Sequence, residues 1–120
     1  MAVNTVQKST GIALAQERGP FLVWEEERKG RRSSYLLKKI DDLLKEWKIK
    51  VGDLDAVAVC TGPGTFTGIR VGMAVARGLA FAAGLPLVGV SAFEAYAEQW
   101  RPKSGTMLVT MDARRGEVYA

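Results

Sequence analysis

The stretch Thr61-Gly62-Pro63-Gly64-Thr65-Phe66-Thr67-Gly68-Ile69-Arg70-Val71-Gly72 decides how the rest of the chain is read. Before it lies the continuous apolar run Ala56-Val57-Ala58-Val59-Cys60, the pattern of a strand buried on both faces. After it comes an apolar helical segment to about Ala83, where Gly84 can end the helix and Pro86 follows. A glycine-rich turn between a buried strand and a helix is the usual place for backbone amides and a helix N-terminus to bind phosphate. Two specific versions fail. A P-loop needs Lys and then Ser or Thr straight after its last glycine, whereas Ile69 and Arg70 follow Gly68. The dinucleotide pattern G-x-G-x-x-G has its third glycine one residue earlier, and Pro63 has no N–H to offer. Two readings stay open. In one, the glycines supply unusual backbone angles and Thr65 or Thr67 caps the helix. In the other, Gly62, Gly64, Thr65, Thr67 and Gly68 face an anion or nucleotide, and Arg70, one turn into the helix, pairs with it or with an acidic partner.

Outward toward the N-terminus, Ala2–Val6, Ile12–Leu14 and Phe21–Trp24 read as three strands. Turns at Gln7–Gly11 and Glu17–Pro20 join them into an antiparallel meander. The charged segment from Glu25 to Arg32, with Gly30, reads as a strand end and an exposed loop. Ser33 or Ser34 is placed to cap a helix. Leu36, Leu37, Ile40, Leu43, Leu44 and Trp47 recur at spacings of three and four, with Lys38, Lys39, Asp41, Asp42 and Lys45 opposite. Val51-Gly52-Asp53 breaks this amphipathic helix. Its place between the meander and the run at Ala56–Cys60 predicts a parallel crossover.

Toward the C-terminus, Leu87–Val90 reads as a second buried strand. Ser91 and Glu94 have capping-box spacing for a helix to about Trp100. Arg101–Gly105 is a loop, Met107–Met111 a strand, Asp112–Gly116 a turn, and Glu117–Ala120 a strand. The order βββαβαβαββ predicts an α/β fold, a mixed sheet with helices packed on it. The last hairpin has no helix to cover it. Residues 1–105 therefore read as a first lobe, and 106–120 as the start of a second, truncated lobe. Val3–Val6 followed by Gly11 repeats the spacing of Leu108–Met111 followed by Gly116, a feature shared by common hairpins and by duplicated lobes.

The helix after the loop carries Gly68, Gly72, Ala76 and Ala80 in one row. Such a row suits tight packing on the chain's own sheet or close approach of a partner helix. Ile69, Val71, Met73, Val75, Leu79 and Phe81 make the rest of it apolar nearly all round. A chain of 120 residues has little material to cover both sides, so an intersubunit contact is expected.

Composition narrows the chemistry. The absence of histidine rules out Ser-His-Asp and Cys-His catalysis within the chain and removes the commonest transition-metal ligand. The single cysteine, Cys60, forms no intrachain disulfide, which fits a reducing cytoplasm. Neither a signal peptide nor a membrane span is expected: the weakly polar stretch Val71–Val90 is interrupted by Arg77, glycines and Pro86. Asp41 and Asp42 read as solvated surface, Glu25–Glu27 as a charged strand end, Asp112 as a turn residue and Cys60 as packing. No catalytic or metal-binding set emerges. The net charge of +4 permits an acidic partner such as RNA but forms no long basic run.

The run Thr61–Gly72 resembles the GPGSFTGLRIG signature of the bacterial TsaB (YeaZ) proteins. The likeness continues through Ala80-Phe81 and Gly84–Ser91 into Asp112–Tyr119, and so covers most of the chain. The resemblance implies an actin/hexokinase/Hsp70-like (ribonuclease H-like) fold of two related lobes. It implies a cytoplasmic, non-catalytic paralogue of TsaD in the complex that forms N6-threonylcarbamoyladenosine at position 37 of tRNA. Such a subunit docks with TsaD, or with itself, through a helical interface. TsaE joins through that pair, tRNA is reached indirectly, and ATP belongs to the larger complex. The older description of these proteins as glycoprotease-like has no support in the residues here. By position, the helices from about Ser34 to Trp47 and from about Thr67 to Ala83 match the interface, with Leu36, Leu37, Ile40, Leu44, Ile69, Gly72, Met73, Ala76 and Ala80 as its residues. Asn4 stands where the family usually has an acidic residue that helps hold a metal–nucleotide complex, and Ser33 or Ser34 where many members have His-Ser. Most members are roughly twice this length. The rival reading is a nucleotide-binding enzyme lobe of the same superfamily, kinase-like or carbamoyl-transferring.

Overall fold

Three short strands open the chain, because the apolar residues alternate with small or polar ones and turn residues separate the runs. In the computed structural model, which describes residues 1–19, 21–27 and 33–120, they are β1 (Ala2–Asn4), β2 (Ser9–Leu14) and β3 (Leu22–Glu27). The expected loop across 28–32, Pro20 of the second turn and the capping side chain of Ser33 lie outside the described residues. α1 (Ser33–Glu46) and a short 3-10 turn (Val51–Asp53) lead to β4 (Val57–Cys60). Then come α2 (Phe66–Ala83), β5 (Leu87–Val90), α3 (Ala92–Gln99) and a hairpin of β6 (Met111–Arg114) and β7 (Glu117–Tyr119).

The first five strands form one mixed sheet in the order β3-β2-β1-β4-β5. β1, β2 and β3 pair antiparallel; β1, β4 and β5 pair parallel, with α1 and α2 as the crossovers. α1 buries Leu36, Ile40, Leu43 and Leu44 with Val3 and Ile12 of the sheet and Val75 of α2. A second cluster joins Val57 and Val59 to Ala76 and Ala80. The Lys39 ammonium lies 4.7 Å from the centroid of Trp24, and the Tyr35 hydroxyl donates to Glu26 at 2.6 Å; both tie α1 to β3.

Both helix ends of α2 follow local chemistry. The Thr65 hydroxyl accepts from the Gly68 N–H at 3.3 Å, and Gly84 closes the helix at φ 65°. At α3 the capping box forms: Ser91 N–H donates to Glu94 at 3.0 Å, and Phe93 N–H donates to the Ser91 hydroxyl at 3.2 Å.

Three expectations need correction. β2 starts at Ser9, inside the expected Gln7–Gly11 turn, because Ser9 pairs with Glu27 and Thr10 with Glu26; Glu25–Glu27 form the charged strand end that the sequence implies. β5 is an edge strand rather than a buried one, with Val88 47% exposed. Met107–Thr110 form no strand. The positive φ angles of Arg114, Arg115 and Gly116 place the turn at Arg115-Gly116, and pairing begins only at Met111 opposite Tyr119.

The face of the sheet away from the core clusters carries one row across all five strands: Val23, Ala13, Ala2, Ala58 and Val88. Its side chains are half-buried or exposed.

Candidate functional site

The glycine-rich loop is stitched to the end of β1. Thr65 N–H donates to the Val6 carbonyl at 2.7 Å, and the buried Thr5 hydroxyl donates to the Gly68 carbonyl at 2.7 Å. Ala92 N–H donates to the Gly62 carbonyl at 2.7 Å and brings in α3. Gly62 has φ 103°, a conformation that disfavours any side chain. A Cβ on Gly64 would fall against the Val6 carbonyl, 2.9 Å from its carbon, so backbone meets backbone there. Of the residues expected to face an anion, Gly62, Gly64, Thr65 and Gly68 thus hold β1, α2 and α3 together. Thr67 and Arg70 point outward, and the Arg70 guanidinium sits 5.3 Å from the centroid of Phe66.

Beside the loop a cleft of about 1240 Å³ opens toward the hairpin, with Val6, Thr65, Tyr96, Trp100 and Tyr119 among its walls. The Gln7 amide donates to the Tyr96 hydroxyl within it. Its charged walls are mixed: Lys8 and Arg114 against Glu25, Glu27 and Asp112. Two of the acidic side chains are engaged locally. Asp112 accepts from its neighbour Arg114 N–H at 2.7 Å, and Asp41 holds Lys45 at 2.6 Å on the surface of α1. Cys60 is half-buried at the end of β4. Among the described residues no three His, Cys, Asp or Glu side chains gather as a metal ion would require.

The α1–α2 surface is different. α2 buries Gly68, Gly72, Val75, Ala76 and Ala80 on its inner side. The row of small residues therefore serves the chain's own sheet, resolving the alternative in favour of internal packing. Leu36, Ile40 and Leu44 of α1 are likewise in the core. None of these six expected docking residues (Leu36, Ile40, Leu44, Gly72, Ala76, Ala80) can present surface, because the sheet already covers them. Of the others, Leu37 is 47% and Met73 38% exposed, and Ile69 is half-buried.

The uncovered side of α2 carries residues the sequence had not singled out for docking. Phe66 is 72% and Phe81 90% exposed; Ala74, Arg77 and Gly78 lie between them, also exposed. A groove of about 800 Å³ runs along this side, walled by Leu37 of α1 and by Phe66, Arg70, Ala74 and Gly78 of α2. The signal was present in the sequence. Arg70, Ala74, Arg77 or Gly78, and Phe81 recur at spacings of three and four, forming a second stripe offset from the glycine row. By length and composition α2 is apolar enough to cross a membrane, yet its inner side is seated on the sheet and its outer side bears two arginines.

Residues 27–120 match the family model described as "TsaD: tRNA N6-adenosine threonylcarbamoyltransferase". The chain is 35% identical, over 99% of its length, to the tRNA threonylcarbamoyladenosine biosynthesis protein TsaB of Escherichia coli (strain K12), covering 52% of that protein. It is 32% identical to the TsaB protein of Bacillus subtilis (strain 168), again over 99% of this chain and 52% of the relative. The solved structure of YeaZ from Pseudomonas aeruginosa superposes with a TM-score of 0.83 at 34% identity, over 98% of this chain and 55% of that one. The chain spans about half the length of the curated relatives it matches. The loop sequence, the mixed five-stranded sheet and these likenesses agree: the chain belongs to the TsaB (YeaZ) group within the TsaD family.

Proposed function

We propose that this chain is a non-catalytic subunit of the machinery that forms N6-threonylcarbamoyladenosine in tRNA, docking the outer face of α1 and α2 on a TsaD protein. A second copy occupies the same face when TsaD is absent, TsaE joins through the TsaD pair, and tRNA is reached through the assembly. The observation that carries this reading is the outer side of α2, with Phe66 and Phe81 exposed at either end of the helix. Exposed apolar patches mark interaction surfaces, and aromatic side chains such as phenylalanine are enriched at protein–protein interfaces. The names of the relatives supply the pathway. Docking buries the two phenylalanines and fixes the partner's helices against a rigid sheet, with no bond made or broken by this chain.

Sizing chromatography of the chain mixed with TsaD tests the reading. A shared peak at micromolar concentration is expected, and two separate peaks would contradict it. A second reading, a ligand-binding lobe, draws on the aromatic cleft between the loop and the hairpin. Calorimetric titration with ATP and Mg²⁺ separates the two: micromolar binding by the chain alone favours the second.

A further inference from the structure

We propose that the partner seated on α2 presents acidic side chains to Arg70 and Arg77, and that the same two arginines disfavour pairing of α2 with a second copy of itself. The inference rests on the docking face described above and specifies the chemistry of its occupant.

From Phe66 to Ala83, α2 carries two ionisable side chains, both arginines. They are seven residues apart, about two helical turns, and so project from the same side. Both are exposed. Ala74 lies between them, Phe66 and Phe81 flank them, and Gly78 adjoins. A Cβ on Gly78 would meet nothing within 4 Å, and Ala74 is nearly as small, so a partner backbone can come close. Close approach strips water from the guanidinium groups, which is unfavourable unless carboxylates replace it. Among the described residues that wall the groove Arg70 is the charged one, no carboxylate stands with it, and Asp41 of the neighbouring α1 is held by Lys45. A second copy would set the same cationic ribbon against itself, with up to four guanidinium groups and no acid from either α2. An acidic partner relieves that conflict, so charge selects the foreign partner over the twin.

The test uses the chain, its Arg70→Glu/Arg77→Glu variant, a Phe81→Ser variant and TsaD, followed by sedimentation equilibrium and by titration. Circular dichroism checks that both variants fold. The wild type mixed with the charge-reversed variant is expected to form a mixed dimer at least about tenfold tighter than either self-dimer. The advantage should shrink in about 0.5 M NaCl, where the screening length is only a few ångströms. The charge-reversed variant should also lose about tenfold or more in affinity for TsaD. A mixed dimer no tighter than the self-dimers, or unchanged TsaD affinity in the charge-reversed variant, overturns the proposal. If only the charge claim fails, Phe81→Ser still weakens TsaD binding while charge reversal does not. If the docking face itself is wrong, neither variant changes TsaD binding.

Discussion

The Thr5 hydroxyl fills the space in which a side chain on Gly72 would begin. That hydroxyl is buried and donates to the Gly68 carbonyl at 2.7 Å, so one oxygen fixes the distance between β1 and α2 and reserves its neighbour for glycine. Gly72→Ala must displace the hydroxyl or the helix, and overpacking of this kind costs about 1–3 kcal/mol, against a helix-propensity gain of about 1 kcal/mol. Thr5→Ala alone gives up a buried hydrogen bond, at about 1 kcal/mol. The double variant has room for the new methyl, since the next contacts of a Gly72 Cβ lie at 3.6 Å from Thr5 Cβ and Val59. Urea unfolding of the four proteins should show a double variant more stable than the sum of the single losses. Strict additivity would mean that the two residues do not share this space.

Gly64→Ala should be more damaging than any other glycine-to-alanine change in the loop–helix segment. The new Cβ falls against the Val6 carbonyl and 2.7 Å from its Cβ, and backbone cannot turn aside as a long side chain can. A loss of about 2 kcal/mol or more is expected on unfolding, at the upper part of the overpacking range. Wild-type stability would show that the loop is not clamped on β1.

Gly78→Ala should act in the opposite direction on the isolated chain. Gly78 is exposed in the helix interior with open space where its Cβ would stand. Alanine there stabilises by about 0.5–1 kcal/mol, read as a higher urea midpoint. A lower midpoint would place an unseen contact at that position.

The α-amino group of Met1 donates to the Ala56 carbonyl at 3.0 Å. Burial lowers its pKa below the ordinary 8.0, and the charge of Asp55 partly opposes the shift. The folded state therefore releases this proton before the unfolded state does. At pH below the folded value both states are protonated and the fold carries the full cost of the buried charge. The cost disappears as pH rises through the folded pKa, and relief is complete above about 8. Stability from this group thus increases with pH. The urea midpoint of the free-amine chain should gain more between about pH 6 and about pH 8.5 than that of an N-acetylated chain. Equal gains would remove the amine as the source.

Much of this architecture was legible because local and global signals coincide. The amphipathic spacing of α1, Thr65 before and Gly84 after α2, and the Ser91/Glu94 box all appear in the structure as the sequence implies. The failures have physical reasons. The start of β2 is held by backbone pairing of Ser9 and Thr10 with Glu27 and Glu26, which leaves no hydrophobic signature. Leu87–Val90 is apolar like a central strand, but apolarity does not reveal a position at the sheet edge. At the site, the small residues located one row on α2 without saying whether it meets the chain's own sheet or a partner helix. The structure seats Gly68, Gly72, Ala76 and Ala80 inside and turns Arg70, Ala74, Arg77 and Phe81 outward.

Docking through that outward stripe is the central claim, and calorimetric titration of TsaD with the wild-type chain and with Phe81→Ser measures it most directly. Phe81 is 90% exposed, so serine should leave the unfolding midpoint nearly unchanged. If the stripe is the interface, affinity for TsaD falls by about thirtyfold, the loss of roughly 2 kcal/mol that marks a hot-spot residue. Binding of equal strength by the two proteins, both folded, would contradict the account.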